Sequence, residues 1–327
     1  MKIGMLFPGY GSQFVGMGKE LYDHSRVVQE YFEEASNCLD RNFVKLCFAS
    51  SDAELSKLSN AYPALFLVSV ATAAACKESG IELDLVAGHG LGEYSALCTA
   101  KGLSFPDGLY LLNKLSQFYL ELREQLDVKA VMVDGLSARK LKQICKDNSS
   151  VDSEAQISVY ENKTEHVVTG HTEAVNAVAE TASDAGADKV KTVQVEEGFH
   201  TPILTELVDQ LKMYLTKIDF KDVNISLITN VDAKPVQSAK QVQNAVMRQI
   251  VEPLYWHDVL KQFAHIDLIL VPAPSKLLLN ELSAYYPDKK IMAIQQVSDI
   301  EEIKKYIAEN KPVIVPEQAE QVVVQEV

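Results

Sequence analysis

This sequence has fewer positively charged than negatively charged residues. Its 327 residues include 31 lysines and arginines but 45 aspartates and glutamates, and the formal net charge is −14. A chain of this charge repels the phosphate backbone of nucleic acids, so we predict no nucleic-acid partner.

Cysteine pairs and long apolar runs are also missing. The five cysteines are odd in number and form no C-x-x-C pair, which predicts reduced core thiols in a cytoplasmic protein. The histidines form no cluster with cysteines or carboxylates at a recognised ligand spacing, so we predict no metal site. No apolar run reaches about 18 residues, which predicts no membrane span. The opening residues, Met1–Phe7, are too short for a signal peptide and predict a first strand.

Glycine is sparse, but it alternates through the hexapeptide Gly88–Glu93 (GHGLGE). Before it, Leu83–Ala87 predicts a short buried strand, and after it Tyr94–Ala100 predicts a helix. A strand, a sharp glycine turn and a helix form the context of a G-x-S-x-G nucleophile elbow. Here the central residue is Gly90 rather than serine. The flanking glycines give the steric clearance that such a turn needs, so the sequence predicts an elbow without its attacking oxygen.

The hexapeptide resembles Gly-His-Ser-x-Gly-Glu, the signature of malonyl-CoA:acyl-carrier-protein transacylases and polyketide acyltransferases. Other segments resemble that family in the same order along the chain: Phe7–Gln13 with Gly16–Gly18, Tyr62–Leu65, Asn162–Gly170, Phe199–Thr201, Asn230–Asp232 and Gln249–Trp256. The resemblance implies acyl transfer, of the malonyl type, from coenzyme A to an acyl carrier protein in fatty-acid or polyketide biosynthesis. It also implies that a coenzyme A thioester is the substrate and that no separate cofactor is used.

The predicted fold class is α/β, with a hydrolase-like large domain built on a parallel sheet and an inserted ferredoxin-like small domain. Residues 1–126 alternate strand-like and helical patterns, as in a sheet covered by helices. Residues 127–194 show the order βαββαβ, which is ferredoxin-like. The large domain is expected to resume over 195–311. Residues 312–327 carry proline, glutamine and glutamate without a helical stripe, which predicts a disordered tail.

Local patterns place individual helices. Ala64–Ala75 is apolar on all sides and predicts a buried helix, with Pro63 just ahead of it, where a helix start tolerates proline. Ser137 is expected to cap a helix that runs to Cys145.

The resemblance also assigns roles to single residues. Gly90 occupies the nucleophile position, His200 would be the general base, and the backbone carbonyl of Gln249 would orient it. The backbone N–H groups of Tyr10 and Leu91 would form the oxyanion hole. Four further residues would line the substrate site: His89, Leu115, Asn162 and Phe199.

Two departures from the family pattern fall on the chemistry. Loss of a triad nucleophile costs on the order of a million-fold in turnover, so Gly90 predicts poor or no acyl transfer. Leu115 stands near the position of the arginine that pairs with the malonyl carboxylate, and leucine cannot form that bidentate clamp. Two alternatives therefore stay open: a catalytically inactive scaffold that binds acyl thioesters or carrier protein, and a weak thioester hydrolase in which His200 activates water.

Overall fold

The computed structural model describes residues 1–194 and 199–310. Its strands are β1 (Ile3–Phe7), β2 (Leu85–Gly88), β3 (Val128–Asp134), β4 (Ala155–Tyr160), β5 (His166–His171), β6 (Lys189–Val193), β7 (Ser226–Ile228), β8 (Pro235–Val236), β9 (Leu268–Pro272) and β10 (Lys290–Ile294). Its helices are α1 (Lys19–His24), α2 (Arg26–Leu39), α3 (Phe43–Ala49), α4 (Asp52–Leu55), α5 (Leu58–Glu78), α6 (Gly92–Thr99), α7 (Phe105–Arg123), α8 (Ala138–Asp147), α9 (Thr172–Asp184), α10 (Thr205–Leu215), α11 (Ala239–Val251), α12 (Trp256–Gln262), α13 (Lys276–Tyr285) and α14 (Val297–Asn310).

The larger sheet has the strand order β10-β9-β1-β2-β7-β8. Its neighbouring strands are parallel except for the last pair, β7 and β8. Alternate side chains of β1 point to opposite faces: Met5 and Phe7 join the core formed with α2, α5 and α7, whereas Leu6 packs with residues of α12 and α13. Helices therefore cover both faces, as a parallel sheet requires, and the predicted α/β class is confirmed.

The smaller sheet is antiparallel, with the order β4-β5-β3-β6. Its apolar face is covered by α8 and α9, which share a core with β3, β4 and β5. The elements follow the predicted βαββαβ order, and Ser137 caps α8 by accepting a hydrogen bond from the Lys140 N–H. The predicted boundary at 195 and the predicted tail at 312–327 lie outside the described residues, so both stay predictions.

Helix α5 forms the centre of the large domain. It is 21 residues long and apolar enough to cross a membrane, but 89% of its most apolar window is buried inside the protein. Its length therefore reflects a core position between α2, α6 and α7. Four of the five cysteines are buried, as predicted. Cys38 is exposed, so the prediction of core cysteines is wrong at that position.

The start of α5 differs from its prediction. The helix begins at Leu58 and encloses Pro63, which was expected just ahead of it. Proline has no N–H to donate to the carbonyl four residues earlier, that of Ser59. The guanidinium of Arg41 donates to this carbonyl instead, at 2.5 Å. Because the replacement donor comes from outside the helix, the local pattern could not reveal that the helix continues through the proline.

This contact predicts an energetic coupling between Arg41 and Pro63. We expect Arg41→Ala to lower the free energy of unfolding by about 1–3 kcal/mol, because the Ser59 carbonyl loses its donor. In a Pro63→Ala background the loss should be smaller, since alanine supplies an N–H of its own. A double-mutant cycle measured by urea unfolding tests this, and equal losses in both backgrounds would contradict it.

Candidate active site

The turn between β2 and α6 has the geometry of a nucleophile elbow. Gly90 has a φ of +50°, in the left-handed region. A Cβ on Gly88 would overlap the backbone of Gly92, and a Cβ on Gly92 would overlap the carbonyl of Phe7. Close approach of the backbone therefore requires glycine at positions 88 and 92, and the φ angle favours glycine at position 90.

The space above Gly90 is open and faces a histidine. A Cβ built on Gly90 would lie 3.9 Å from His200 Nε2 and 3.8 Å from Leu254 Cδ1. A serine hydroxyl at this position would come within hydrogen-bonding reach of the imidazole, which is the arrangement of a nucleophile and its base. Any residue other than glycine would carry backbone strain of about 1–3 kcal/mol here.

His200 is held in one protonation state and one orientation. Its Nδ1 lies 2.5 Å from the Gln249 carbonyl oxygen. Burial lowers the pKa of His200 to about 4, against the opposing effect of that hydrogen bond. The ring is therefore neutral at neutral pH. Because a carbonyl oxygen only accepts, Nδ1 carries the proton, and Nε2 presents a lone pair toward Gly90.

Gln249 links the histidine to the elbow. Its carbonyl accepts from His200, and its side-chain amide donates to the Gly90 carbonyl at 2.9 Å. The side chain and the carbonyl thus bind the two residues that face each other across the site. The sequence resemblance indicated only the carbonyl contact.

A buried carboxylate under the elbow was not predicted as part of the site. Glu93 is 1% exposed and accepts hydrogen bonds from the backbone N–H of Asn230, at 2.6 Å, and from its side-chain amide. That amide also donates to the Gly88 carbonyl at 2.7 Å. Both residues lie inside segments that resemble the family, but nothing in the sequence indicates that they contact each other, since they are 137 positions apart.

An inner cavity of about 120 Å³ opens above Gly90. It is lined by Tyr10, Tyr62, His89, Gly90, Leu91, Tyr94, Leu115, Val159, Glu161, Phe199, His200, Gln249 and Leu254. All but one of the predicted site residues therefore meet in one place. Leu91 precedes the first turn of α6, where backbone N–H groups have no acceptor within the helix. The oxyanion role of Leu91 and Tyr10 stays a prediction.

Asn162 is the predicted site residue that does not line this cavity. Its side-chain carbonyl accepts from the backbone N–H groups of Thr164 and Glu165, and its amide donates to the Glu165 carboxylate. These bonds hold its own loop. Asn162 lines a larger outer cavity of about 620 Å³, so its contact with substrate stays a prediction.

Tyr10, His89 and Glu161 line both cavities and so form the neck between them. His89 Nε2 lies 3.0 Å from a Glu161 carboxylate oxygen. Burial raises the pKa of Glu161, but neighbouring histidines, His89 foremost through its charge and its hydrogen bond, lower it further, and the net shift is downward. Sequence reasoning missed Glu161, although it immediately precedes Asn162 in a segment that resembles the family.

Among the described residues, lysine and arginine side chains lie outside the inner cavity. Leu115, on α7, is 3% exposed and contributes an apolar surface. The ammonium of the preceding Lys114 lies over the rings of Tyr110 and Tyr214, at 5.7 and 5.8 Å from their centroids. Among the described residues, no lysine or arginine lines the inner cavity.

Elbow turns with a facing histidine belong to α/β enzymes that attack acyl groups at the carboxyl end of a parallel sheet. Comparison with known proteins makes the class specific. Residues 5–281 match the acyl transferase domain family, and the chain belongs to that family.

Individual relatives agree with this assignment. The chain is 30% identical over 302 residues to a malonyl CoA-acyl carrier protein transacylase of Bacillus subtilis (strain 168), covering 92% of this chain and 95% of the relative. A transacylase structure from Coxiella burnetii superimposes with a TM-score of 0.88 at 26% identity, covering 93% and 97%. A malonyl-transacylase in complex with its type II polyketide acyl-carrier protein superimposes with a TM-score of 0.87 at 26% identity, covering 94% and 100%.

The buried Glu93 predicts a pH-dependent stability. Burial raises the pKa of Glu93 from 4.5 to about 7. An acid with a raised folded-state pKa favours folding when protonated, so its contribution is present below pH 4.5 and lost as the pH rises through 7. Glu93→Gln cannot ionise and keeps the acceptor oxygen. We subtract the free energy of unfolding of the unsubstituted chain from that of Glu93→Gln. This difference should increase by up to about 3 kcal/mol from low to high pH.

Urea unfolding of both proteins at acid and alkaline pH measures this difference. Glu78→Gln, at the exposed end of α5, removes one negative charge from the surface and serves as the control. If the free energies of unfolding of Glu93→Gln and the unsubstituted chain differ by the same amount at acid and alkaline pH, Glu93 does not titrate in this range.

Proposed function

We propose that this protein carries an acyltransferase site for thioesters of coenzyme A and acyl carrier protein. Because Gly90 stands at the nucleophile position, the site cannot form the covalent acyl-enzyme. Its relatives are named for malonyl transfer, and we assign this site to the same class. The pathway would be fatty-acid or polyketide biosynthesis in the cytoplasm. The observation that carries the proposal is the open position above Gly90, 3.9 Å from His200 Nε2. His200 and Gln249 surround the position of the missing oxygen, which supports the proposal.

With a serine in the elbow, the chemistry would proceed in two steps. His200 Nε2 would take the hydroxyl proton as the oxygen attacks the thioester carbonyl, and the imidazolium would then protonate the departing thiol. The second thiol would then give its proton to His200 and attack the acyl-serine ester, and the released serine oxygen would take the proton back from the imidazolium. Gly90 has no oxygen, so no acyl-enzyme forms, and thioester binding is the activity that the site retains.

Slow hydrolysis is the second candidate function, and the His200 tautomer favours it. The Nε2 lone pair faces the space that a serine oxygen would fill, and a water there could attack the thioester carbonyl. The water proton would pass to Nε2 and then to the leaving thiolate, giving a carboxylic acid and a free thiol. A pKa of about 4 makes His200 a weak base, so this reaction should be slow.

The chain with Gly90 should form no covalent adduct with acyl-CoA. After incubation with malonyl-CoA or acetyl-CoA, intact-protein mass spectrometry should show only the unmodified mass, because the cavity offers no nucleophile in the elbow. A gain of one acyl group, mapped by peptide sequencing to any cavity residue, would overturn this expectation and identify a substitute nucleophile.

Restoring the oxygen should restore acylation. We expect Gly90→Ser to gain one acyl group from acyl-CoA, and the double variant Gly90→Ser with His200→Ala to gain none. Backbone strain of about 1–3 kcal/mol should also lower the melting temperature by a few degrees. Gly90→Ala is the matched control, since it introduces the same strain without an oxygen.

The outcomes separate the hypotheses. If Gly90→Ser stays unlabelled while it remains folded, the site has lost more than its nucleophile and the scaffold hypothesis is favoured. If it is labelled equally with and without His200, then His200 is not the base. If free acid accumulates with the unsubstituted chain and not with His200→Ala, the hydrolase hypothesis is supported.

A further inference from the structure

A further cavity, of about 440 Å³, lies on the other face of the small sheet from the elbow. In β4, Val159 lines the inner cavity, whereas the next residue, Tyr160, belongs to the core under α8 and α9 and lines this further cavity. Among the described residues, it shares no lining residue with the inner or the outer cavity. The lining of this α8 cavity includes Lys142, Lys146, Tyr160 and Thr201.

Two lysines of α8 give the cavity a positive charge. Lys142 and Lys146 are four positions apart, so they lie on the same side of the helix. The Lys142 ammonium lies over the ring of Tyr160, 5.2 Å from its centroid, which holds the charge at the cavity wall. In the part of the chain that the structure describes, neither lysine forms an ion pair with a carboxylate. In a chain with a net charge of −14, the cavity is therefore a local site for an anion.

The lysines are not needed to complete the helix. Lysines near the end of a helix often bond its last carbonyl groups, but those of α8 have other donors. The Ile144 carbonyl accepts from the side-chain amide of Asn148 at 2.9 Å, and the Cys145 carbonyl accepts from the Ser149 hydroxyl at 2.8 Å. The Lys146 ammonium is therefore available to a ligand.

Buried hydroxyl groups complete the lining. Tyr160 is 8% exposed and Thr201 is 4% exposed, and within residues 1–194 and 199–310 neither hydroxyl forms a hydrogen bond. Burial raises the pKa of Tyr160, so its hydroxyl stays protonated and can donate. A phosphate oxygen accepts strongly from such donors and from ammonium groups.

The lining also limits the charge of the ligand. Glu154 lines the cavity together with the two lysines. Its carboxylate would repel a second phosphate group, and it can accept a hydrogen bond from a hydroxyl of the ligand. At about 440 Å³ the cavity is within the range of about 300–1,000 Å³ typical of small-molecule sites, so it has room for more than a phosphate ion. These features fit an organic molecule with one phosphate group and several hydroxyls.

We propose that the α8 cavity binds the monophosphate ester of a small polyhydroxy compound, with Lys142, Lys146 and the Tyr160 hydroxyl holding the phosphate. This site is separate from the acyltransferase site and does not rest on the proposed function. It borders the segment that carries the base, because the side-chain amide of Gln156, which lines the α8 cavity, donates to the His200 carbonyl at 3.4 Å.

Titration calorimetry of the unsubstituted chain tests the ligand class. The probes are glycerol 3-phosphate and fructose 6-phosphate, and fructose and fructose 1,6-bisphosphate are the comparisons. At least one monophosphate should bind, and fructose should bind at least about tenfold more weakly than fructose 6-phosphate, because it lacks the charged acceptor. The bisphosphate should bind no more tightly than fructose 6-phosphate, and Glu154→Gln should tighten the bisphosphate relative to the monophosphate.

Variants of the lining test the location. Lys142→Gln and Lys146→Gln should each weaken the monophosphate by at least about tenfold, since each removes a charged donor. Tyr160→Phe keeps the ring and removes only the hydroxyl, and it should also weaken binding. Arg139→Gln is the matched control, because Arg139 is exposed on the same helix and does not line the cavity. Its removal should leave the affinity unchanged.

The remaining outcomes decide against the inference. If neither monophosphate binds, the inference is overturned. If Arg139→Gln weakens binding as much as the two lysine variants do, the anion is held by general charge and not by this cavity. Free coenzyme A also carries phosphate groups, and at saturation it should not displace fructose 6-phosphate. If it does, and Lys142→Gln weakens both ligands equally, the cavity belongs to the coenzyme A site and the inference fails while the proposed function stands.

Discussion

The site depends on the position of Gln249. Its carbonyl receives the Nδ1–H of His200 at 2.5 Å, and its side-chain amide binds the Gly90 carbonyl at 2.9 Å. Gln249 is 4% exposed, so losing either bond would leave a polar group without a partner in the interior. The distance between the base and the elbow is therefore set by this one residue of α11. It does not depend on which side chain residue 90 carries.

On the proposed function, this arrangement explains how the site could persist without its nucleophile. The bonds that shape the elbow are made by the backbone of Gly88 and Gly90, which Asn230 and Gln249 hold from the other side. Glycine suits the φ of +50° better than any other residue, because it has no Cβ, so glycine at this position carries less strain than serine would. The proposed loss of covalent catalysis therefore requires no loss of the cavity.

The inner cavity lies where the segment between α11 and α12 of the large domain contacts β4. The backbone of Leu254, from the large domain, exchanges hydrogen bonds with β4 through Ser158 and Tyr160 at 2.9 and 2.8 Å. This contact brings Val159 and Glu161 over the elbow. The small domain thereby supplies an apolar side chain to the cavity wall and the carboxylate at the neck.

The sequence by itself determined the features that rest on neighbouring residues. The glycine spacing of Gly88–Glu93 predicted the elbow, Ser137 predicted a helix start, and apolar periodicity predicted the order of elements in the small domain, because each depends on local backbone geometry. The family resemblance indicated the contact between His200 and Gln249. Only the tertiary structure decided that Arg41 completes α5 and that Glu161 pairs with His89. Those contacts join residues far apart in the chain, and no local pattern records which distant partners the packing of helices and sheets brings together.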